Sequence, residues 1–124
     1  WIRFANKELL ADKLISPEDM SLLYVSKSAE DAYNYIARFY SRFHSYYFDG
    51  KKVVLRMNAA APQETLDWIS KDFADILPEN DVAQQLGDSA DPEPLLAHMP
   101  HISFTFKPGA YARLKELIDV VNDF

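Results

Sequence analysis

Cysteine is absent from this 124-residue chain. That removes a disulfide framework, a thiolate zinc site and a cysteine nucleophile. Glycine is scarce: only Gly50, Gly87 and Gly109 occur, so neither GxGxxG nor GxxxxGK[ST] can be written and no glycine-rich loop cradles a phosphate. No apolar run approaches the ~20 residues of a membrane span. Arg3 to Leu14 alternate charged and apolar residues, unlike a signal peptide. Positive charge is also short: 13 Lys+Arg face 19 Asp+Glu, for a net charge of −6. Such a balance repels nucleic acid and anionic membrane. The expected setting is cytoplasmic, with neither nucleic acid nor membrane as partner.

What is present is ordinary globular material. Hydrophobic residues make up 48% of the chain, too many for disorder, and the length suits one domain with its own core. Trp1, Ala5 and Leu9, with Ile2 beside them, repeat at helical spacing. Ser16 reads as the cap of a short helix with Pro17 first and Glu18 and Asp19 in the opening turn. Leu22 to Val25 are consecutive apolar residues, which suits a short strand covered on both faces. Ser28 caps a long helix whose stripe is Ala29, Ala32, Ile36, Phe39 and Phe43. Asp49-Gly50 between two β-prone runs predicts a two-residue hairpin turn, with Phe48 opposite Lys51 and Tyr46 opposite Val53. Tyr46, Val53 and Leu55 then share one face, and Tyr47, Val54 and Arg56 the other.

Pro62 opens a helix with Leu66, Ile69, Phe73 and Ile76 inward, and Pro78 stops it. Residues 78–100 carry Glu79, Asp81, Asp88, Asp91 and Glu93 without a Lys or Arg, broken by prolines. They read as an acidic mobile loop with a helical turn near Leu95. Ile102, Phe104 and Phe106 alternate as a half-buried strand, and a last helix points Leu114, Leu117, Ile118 and Val121 inward. The order from Leu22 onward is β-α-β-β-α-β. The expected fold class is α+β: a ferredoxin-like βαββαβ sandwich with extra N- and C-terminal helices.

Chemistry-bearing clusters are few. Glu18/Asp19 and Glu30/Asp31 sit in first helical turns, where the helix dipole accounts for them. His98 and His101 have a two-residue gap, but Pro100 prevents a helix there and no third ligand is apparent, so no metal and no cofactor is expected. The candidate ligand site is Arg38, Arg42, His44, Tyr46 and Arg56. Guanidinium groups beside aromatic faces are the chemistry that holds a phosphate and a base. The competing reading is cations at a helix C-terminus and tyrosines packed on a core. No catalytic residue is assigned.

The stretch from Trp1 through Ile15 to Asp19, Leu22 to Val25 and Ser28 to Ala32 resembles the last part of the Rossmann domain in the Lonely Guy (LOG), or lysine decarboxylase-like, family. Phe43-His44-Ser45-Tyr46, Val53 to Arg56 and Leu114 to Asn122 look like the C-terminal extension of a bacterial subgroup of that family. The resemblance implies that residues 1–27 close an upstream Rossmann domain of the same parent chain, and that this chain is the tail of a longer protein. Family members are similar in function to phosphoribohydrolases, which cleave the N-glycosidic bond of nucleoside 5′-monophosphates at a PGGxGTxxE motif. That motif is missing here, so no catalysis is expected from this chain by itself. The reading that follows is a non-catalytic C-terminal domain serving packing, assembly or regulation. Its expected partners are the upstream domain, a further copy of itself and a nucleotide. The alternative is a stand-alone module binding a nucleotide or similar anion.

Overall fold

A computed structural model describes residues 1–124. The chain opens with α1 (Ile2–Phe4), which continues into a π-helical turn (Ala5–Leu9). Ser16 then forms a capping box: its Oγ accepts the Asp19 N–H at 3.3 Å, and the Asp19 carboxylate accepts the Ser16 N–H at 2.8 Å. The 3-10 helix that follows, Pro17–Leu22, rests against the last helix of the fold. Ser28 caps α2 (Ala29–Phe39) by accepting the Asp31 N–H at 3.0 Å. Asp31 also takes the Lys27 N–H at 2.9 Å and the Tyr24 hydroxyl at 2.8 Å. The acidic pairs are thus structural, as the cap reading has it.

Four strands follow: β1 (Phe43–Asp49), β2 (Lys52–Met57), β3 (Ala83–Gln85) and β4 (His101–Thr105). They form one antiparallel sheet in the order β1-β2-β4-β3. The two remaining helices are α3 (Gln63–Asp72) and α4 (Tyr111–Val121). Val53, Leu55, Met57, Ile102 and Phe104 point from the sheet into the core. They meet Leu66 and Ile69 of α3, Phe73 beyond it, and Leu114, Leu117, Ile118 and Val121 of α4. Each such side chain, fully buried, contributes about 1.5–3 kcal/mol. The class is α+β, and the layering loosely follows a ferredoxin-like sandwich.

The strand complement differs from expectation in two places. Leu22–Val25 is not a strand. Leu23 is extended (φ −108°, ψ 130°), but Tyr24 to Ser26 make no backbone–backbone hydrogen bond, and all four apolar side chains are exposed. A doubly apolar strand needs a sheet to join and cover on both faces, and neither is supplied here. The fourth strand comes instead from Ala83–Gln85. The same vacancy explains α2. Its stripe lacks a sheet beneath it, so no α2 residue is buried, Ile36 is 57% exposed, and only Phe39 packs on the core.

The hairpin is present with its register moved. Asp49 pairs with Lys52, Phe48 with Val53 and Tyr46 with Leu55, so the two turn residues are Gly50 and Lys51. Gly50 has φ +60° and Lys51 does not share a positive φ, the pattern of a turn with glycine at its first central position. The offset from the expected pairing is two residues, so the pleat preserves the faces: Tyr47, Val54 and Arg56 do lie opposite Val53 and Leu55. A bulge at His44 resets the alternation, which lets Phe43 turn into the core. Asn122, just past α4, fixes the junction between α2 and β1. Its Oδ1 accepts the N–H groups of Arg42 and Phe43, each at 2.9 Å, and its Nδ2 donates to the Phe39 carbonyl at 2.6 Å.

The acidic stretch 78–100 holds β3 and a 3-10 turn, Pro94–Leu96. Side chains tie down its first third at two points. The Gln84 amide accepts the Ala61 N–H at 2.7 Å and donates to the Ala61 carbonyl at 3.0 Å. Asp81 accepts from the Thr105 N–H at 2.7 Å and hydroxyl at 2.8 Å.

Candidate functional site

The chemistry-bearing cluster of the fold lies on the sheet face away from the helices. Strand alternation sends Arg56 to that face, with Ser45 of β1 and His101 of β4 as its cross-strand neighbours. Arg56, Asp91 and His101 are the buried polar residues of the chain, at 2%, 5% and 2% exposure. A guanidinium so placed must be paired, and Asp91 reaches it from the segment that folds over the sheet. Arg56 Nε donates to Asp91 Oδ2 and Nη2 to Oδ1, both at 2.8 Å, a two-pronged ion pair. Nη1 donates to Ser45 Oγ at 3.1 Å, and the guanidinium lies over the Tyr47 ring at 4.6 Å. Glu93 stands at the rim, 3.9 Å from Nη2.

Asp91 collects further donors. Its Oδ1 accepts the Glu93 N–H at 2.7 Å, and His101 Nε2 lies 2.7 Å from its Oδ2. The Arg56 hydrogen bonds, helped by His101 and the Glu93 N–H, hold the Asp91 carboxyl well below the usual carboxylate range against the opposing effect of burial. The same contact raises Arg56. Burial first, and then the charges of Asp91 and Asp88, push the Tyr47 hydroxyl up, with Arg56 opposing. This cluster is closed and saturated. It presents no reactive group to solvent, and its chemistry is that of a clamp joining β1, β2, β4 and the acidic segment.

The structure divides the five predicted ligand residues. Arg38 is exposed and donates to Asp123 Oδ1 at 3.0 Å. Arg42 donates through Nε and Nη2 to the Phe124 carbonyl, both at 3.3 Å, and lies over the Phe124 ring at 5.2 Å. His44 is the bulged residue, with Nδ1 2.8 Å from Ser45 Oγ. Through Ser45 it adjoins Arg56. Tyr46 is on the opposite sheet face, against Phe43 and Phe48. Arg38 and Arg42 thus meet the C-terminal residues, His44 and Arg56 meet at Ser45, and Tyr46 stands apart. Arg56 is committed to Asp91.

Arg38 does line a small cleft of its own. Tyr35, Arg38, Phe39, Lys115, Asp119 and Asn122 enclose about 220 Å³ between α2 and α4. Lys115 Nζ donates to Asp119 at 2.7 Å and lies 5.4 Å over the Tyr35 ring, which stacks on Tyr24 at 4.0 Å.

Sequence reasoning missed Asp91 and His101. One signal was available: His101 begins a strand whose alternation places it on the face of Arg56. Asp91 carried no mark among five acids. Comparison of the chain with protein-family models, with curated protein sequences and with solved structures returns no match. No helix is long and apolar enough to cross a membrane.

Proposed function

We propose that the chain is a non-catalytic C-terminal domain of a LOG-like nucleoside 5′-monophosphate phosphoribohydrolase family protein, acting through packing, assembly or regulation. The observation that supports this reading is the Leu22–Val25 segment. Its four apolar side chains are exposed, Tyr24 and Val25 make no backbone–backbone hydrogen bond, and it lies where the resemblance puts the last strand of the upstream Rossmann sheet. An edge of that sheet would give it both the hydrogen bonds and the cover that consecutive apolar residues need. The clamp fits the same role, since it stiffens the domain without offering a reactive group.

The test has two arms. The genomic reading frame upstream of Trp1 is expected to encode PGGxGTxxE, and the isolated chain is expected to release no base from AMP, CMP or GMP. A stop codon immediately upstream, or turnover abolished by a substitution within this chain, overturns the proposal. A second reading, binding of a nucleotide or similar anion, draws support from the cleft containing Arg38 and Lys115. NMR titration with millimolar AMP reads it: shifts confined to Tyr35, Arg38, Lys115 and Asn122, lost in Arg38→Ala, support it, and unchanged spectra refute it.

A further inference from the structure

We infer that the outer edge of β1 pairs antiparallel with β1 of a second copy of this chain, joining two sheets across a two-fold axis at Tyr47. The inference rests on the sheet edge and holds whether or not an upstream LOG-like domain precedes it. β1 stands at one end of the sheet order, with β2 as its neighbour. Which of its backbone groups point away from β2 follows from the other side of β2. The Met57 N–H donates to the Pro100 carbonyl at 2.8 Å, and the Lys51 carbonyl accepts the Phe106 N–H at 3.0 Å. Odd-numbered positions of that strand therefore turn toward β4, and Lys52, Val54 and Arg56 turn toward β1. Their partners Asp49, Tyr47 and Ser45 spend their N–H and C=O groups on β2. The N–H and C=O of Tyr46 and Phe48 then point outward, and no turn or loop backbone bonds them. An open edge of this kind is a template for another strand.

The usual guards of an edge are missing from most of β1. Phe43–Asp49 contains neither lysine nor proline, and its bulge lies near its start, at His44. The opposite edge, β3, is only three residues long. Self-complementarity identifies the occupant. Facing residues of an antiparallel pair share one hydrogen-bonding phase, and the bulge takes His44 out of step. The two-fold axis that matches both outward positions at once passes through Tyr47, so that Tyr46 of each copy exchanges backbone hydrogen bonds with Phe48 of the other. Tyr46 and Phe48 are about half exposed, and within one copy their rings already meet edge to face at 5.7 Å. Pairing merges two such ring pairs into one cross-strand aromatic cluster shielded from water. The strand ends match as well. The Asp49 carboxylate falls opposite Ser45 of the second copy, whose hydroxyl lies 2.8 Å from His44 Nδ1. The acid end of each strand thus meets the hydroxyl and imidazole end of the other.

The experiment follows the whole chain by sedimentation equilibrium over a concentration series. The expected mass at the upper concentrations is twice the 14.3 kDa of one chain. Phe48→Pro removes an outward N–H and spares the ladder to β2, and Tyr46→Lys sets like charges on both sides of the axis. Both should be monomeric with an unchanged far-UV circular dichroism spectrum. Ile36→Lys, on the exposed stripe of α2, should dimerise like the parent. Because the chain has no cysteine, a single introduced one reports the register. Under mild oxidation Tyr47→Cys should give a disulfide-linked dimer, since facing positions that are not hydrogen-bonded lie within disulfide reach. Asp49→Cys, which faces Ser45 and not itself, should link much more slowly. A parent chain that is monomeric at every concentration overturns the inference. So does a dimer that Tyr46→Lys leaves intact or that Ile36→Lys dissolves, or linking through Asp49→Cys that outpaces Tyr47→Cys.

Discussion

Replacing Asp91 by alanine is the sharpest probe of the clamp. The substitution removes four acceptor contacts at once: two from Arg56, one from His101 and one from the Glu93 N–H. Its main cost is what it leaves behind. Arg56, 3% exposed at its side chain, becomes a buried cation without its partner, and Glu93 at 3.9 Å is too remote and too exposed to replace it. Breaking a buried pair in this way costs about 3–5 kcal/mol, although the intact pair adds little net stability because of its desolvation. A domain of this size has about 5–15 kcal/mol in total. With a urea slope of about 2 kcal/mol/M, the unfolding midpoint should fall by roughly 1.5–2.5 M. Far-UV circular dichroism against urea measures it. Adding Arg56→Met to Asp91→Ala should recover part of the loss, because the orphaned charge is then gone. A midpoint lowered by less than about 0.5 M, or a double variant weaker than Asp91→Ala, would refute the reasoning.

Three other outcomes are expected. Asp91, Asp75 and Asp81 are all held below their ordinary values, so each binds its proton later in the folded state than in the unfolded one. Their stabilisation is complete above about pH 4 and is lost as pH falls below it; urea midpoints should drop on acidification, and less steeply in Asp91→Asn. At Gly50, φ is +60° and an added Cβ meets nothing within 4 Å, so Gly50→Ala should cost only the backbone penalty of about 1 kcal/mol, with Gly50→Val costing more; thermal melts equal to the parent's would contradict the turn. At Gly87 the limit is space, since a Cβ would sit 3.1 Å from the Ala97 carbonyl oxygen; Gly87→Ala should loosen residues 86–100 selectively, read as faster amide exchange there than in β2.

Features decided within a few residues were readable beforehand. Ser16 and Ser28 announce their helices because an N-cap is a local hydrogen bond. Ile102, Phe104 and Phe106 announce their strand by alternation, and the Tyr47–Val54–Arg56 face followed from the pleat even though the turn was placed one residue early. Features decided by distant partners were not. Leu22–Val25 has the composition of a covered strand, and nothing local reports whether a sheet is there to cover it. The partners of Arg56 lie 35 residues away at Asp91 and across the next strand at His101. Pairing at that separation is a product of topology, and one acid among Glu79, Asp81, Asp88, Asp91 and Glu93 cannot be singled out before the segment is laid over the sheet.

Asn122 has a consequence for the order in which the chain matures. The hydrogen bonds that align Phe39, Arg42 and Phe43 come from a side chain about 80 positions later. A ribosome adding about 5–20 residues per second needs roughly 4–16 s to cover that distance. During that interval the α2–β1 junction exists without its brace, and Phe39 at the end of α2 and Phe43 and Tyr46 on β1 emerge while β4 and α4 are still unmade. That interval closes only when Asn122 has been made, so the residue that braces the α2–β1 junction, rather than the junction itself, sets when this part of the domain is fastened.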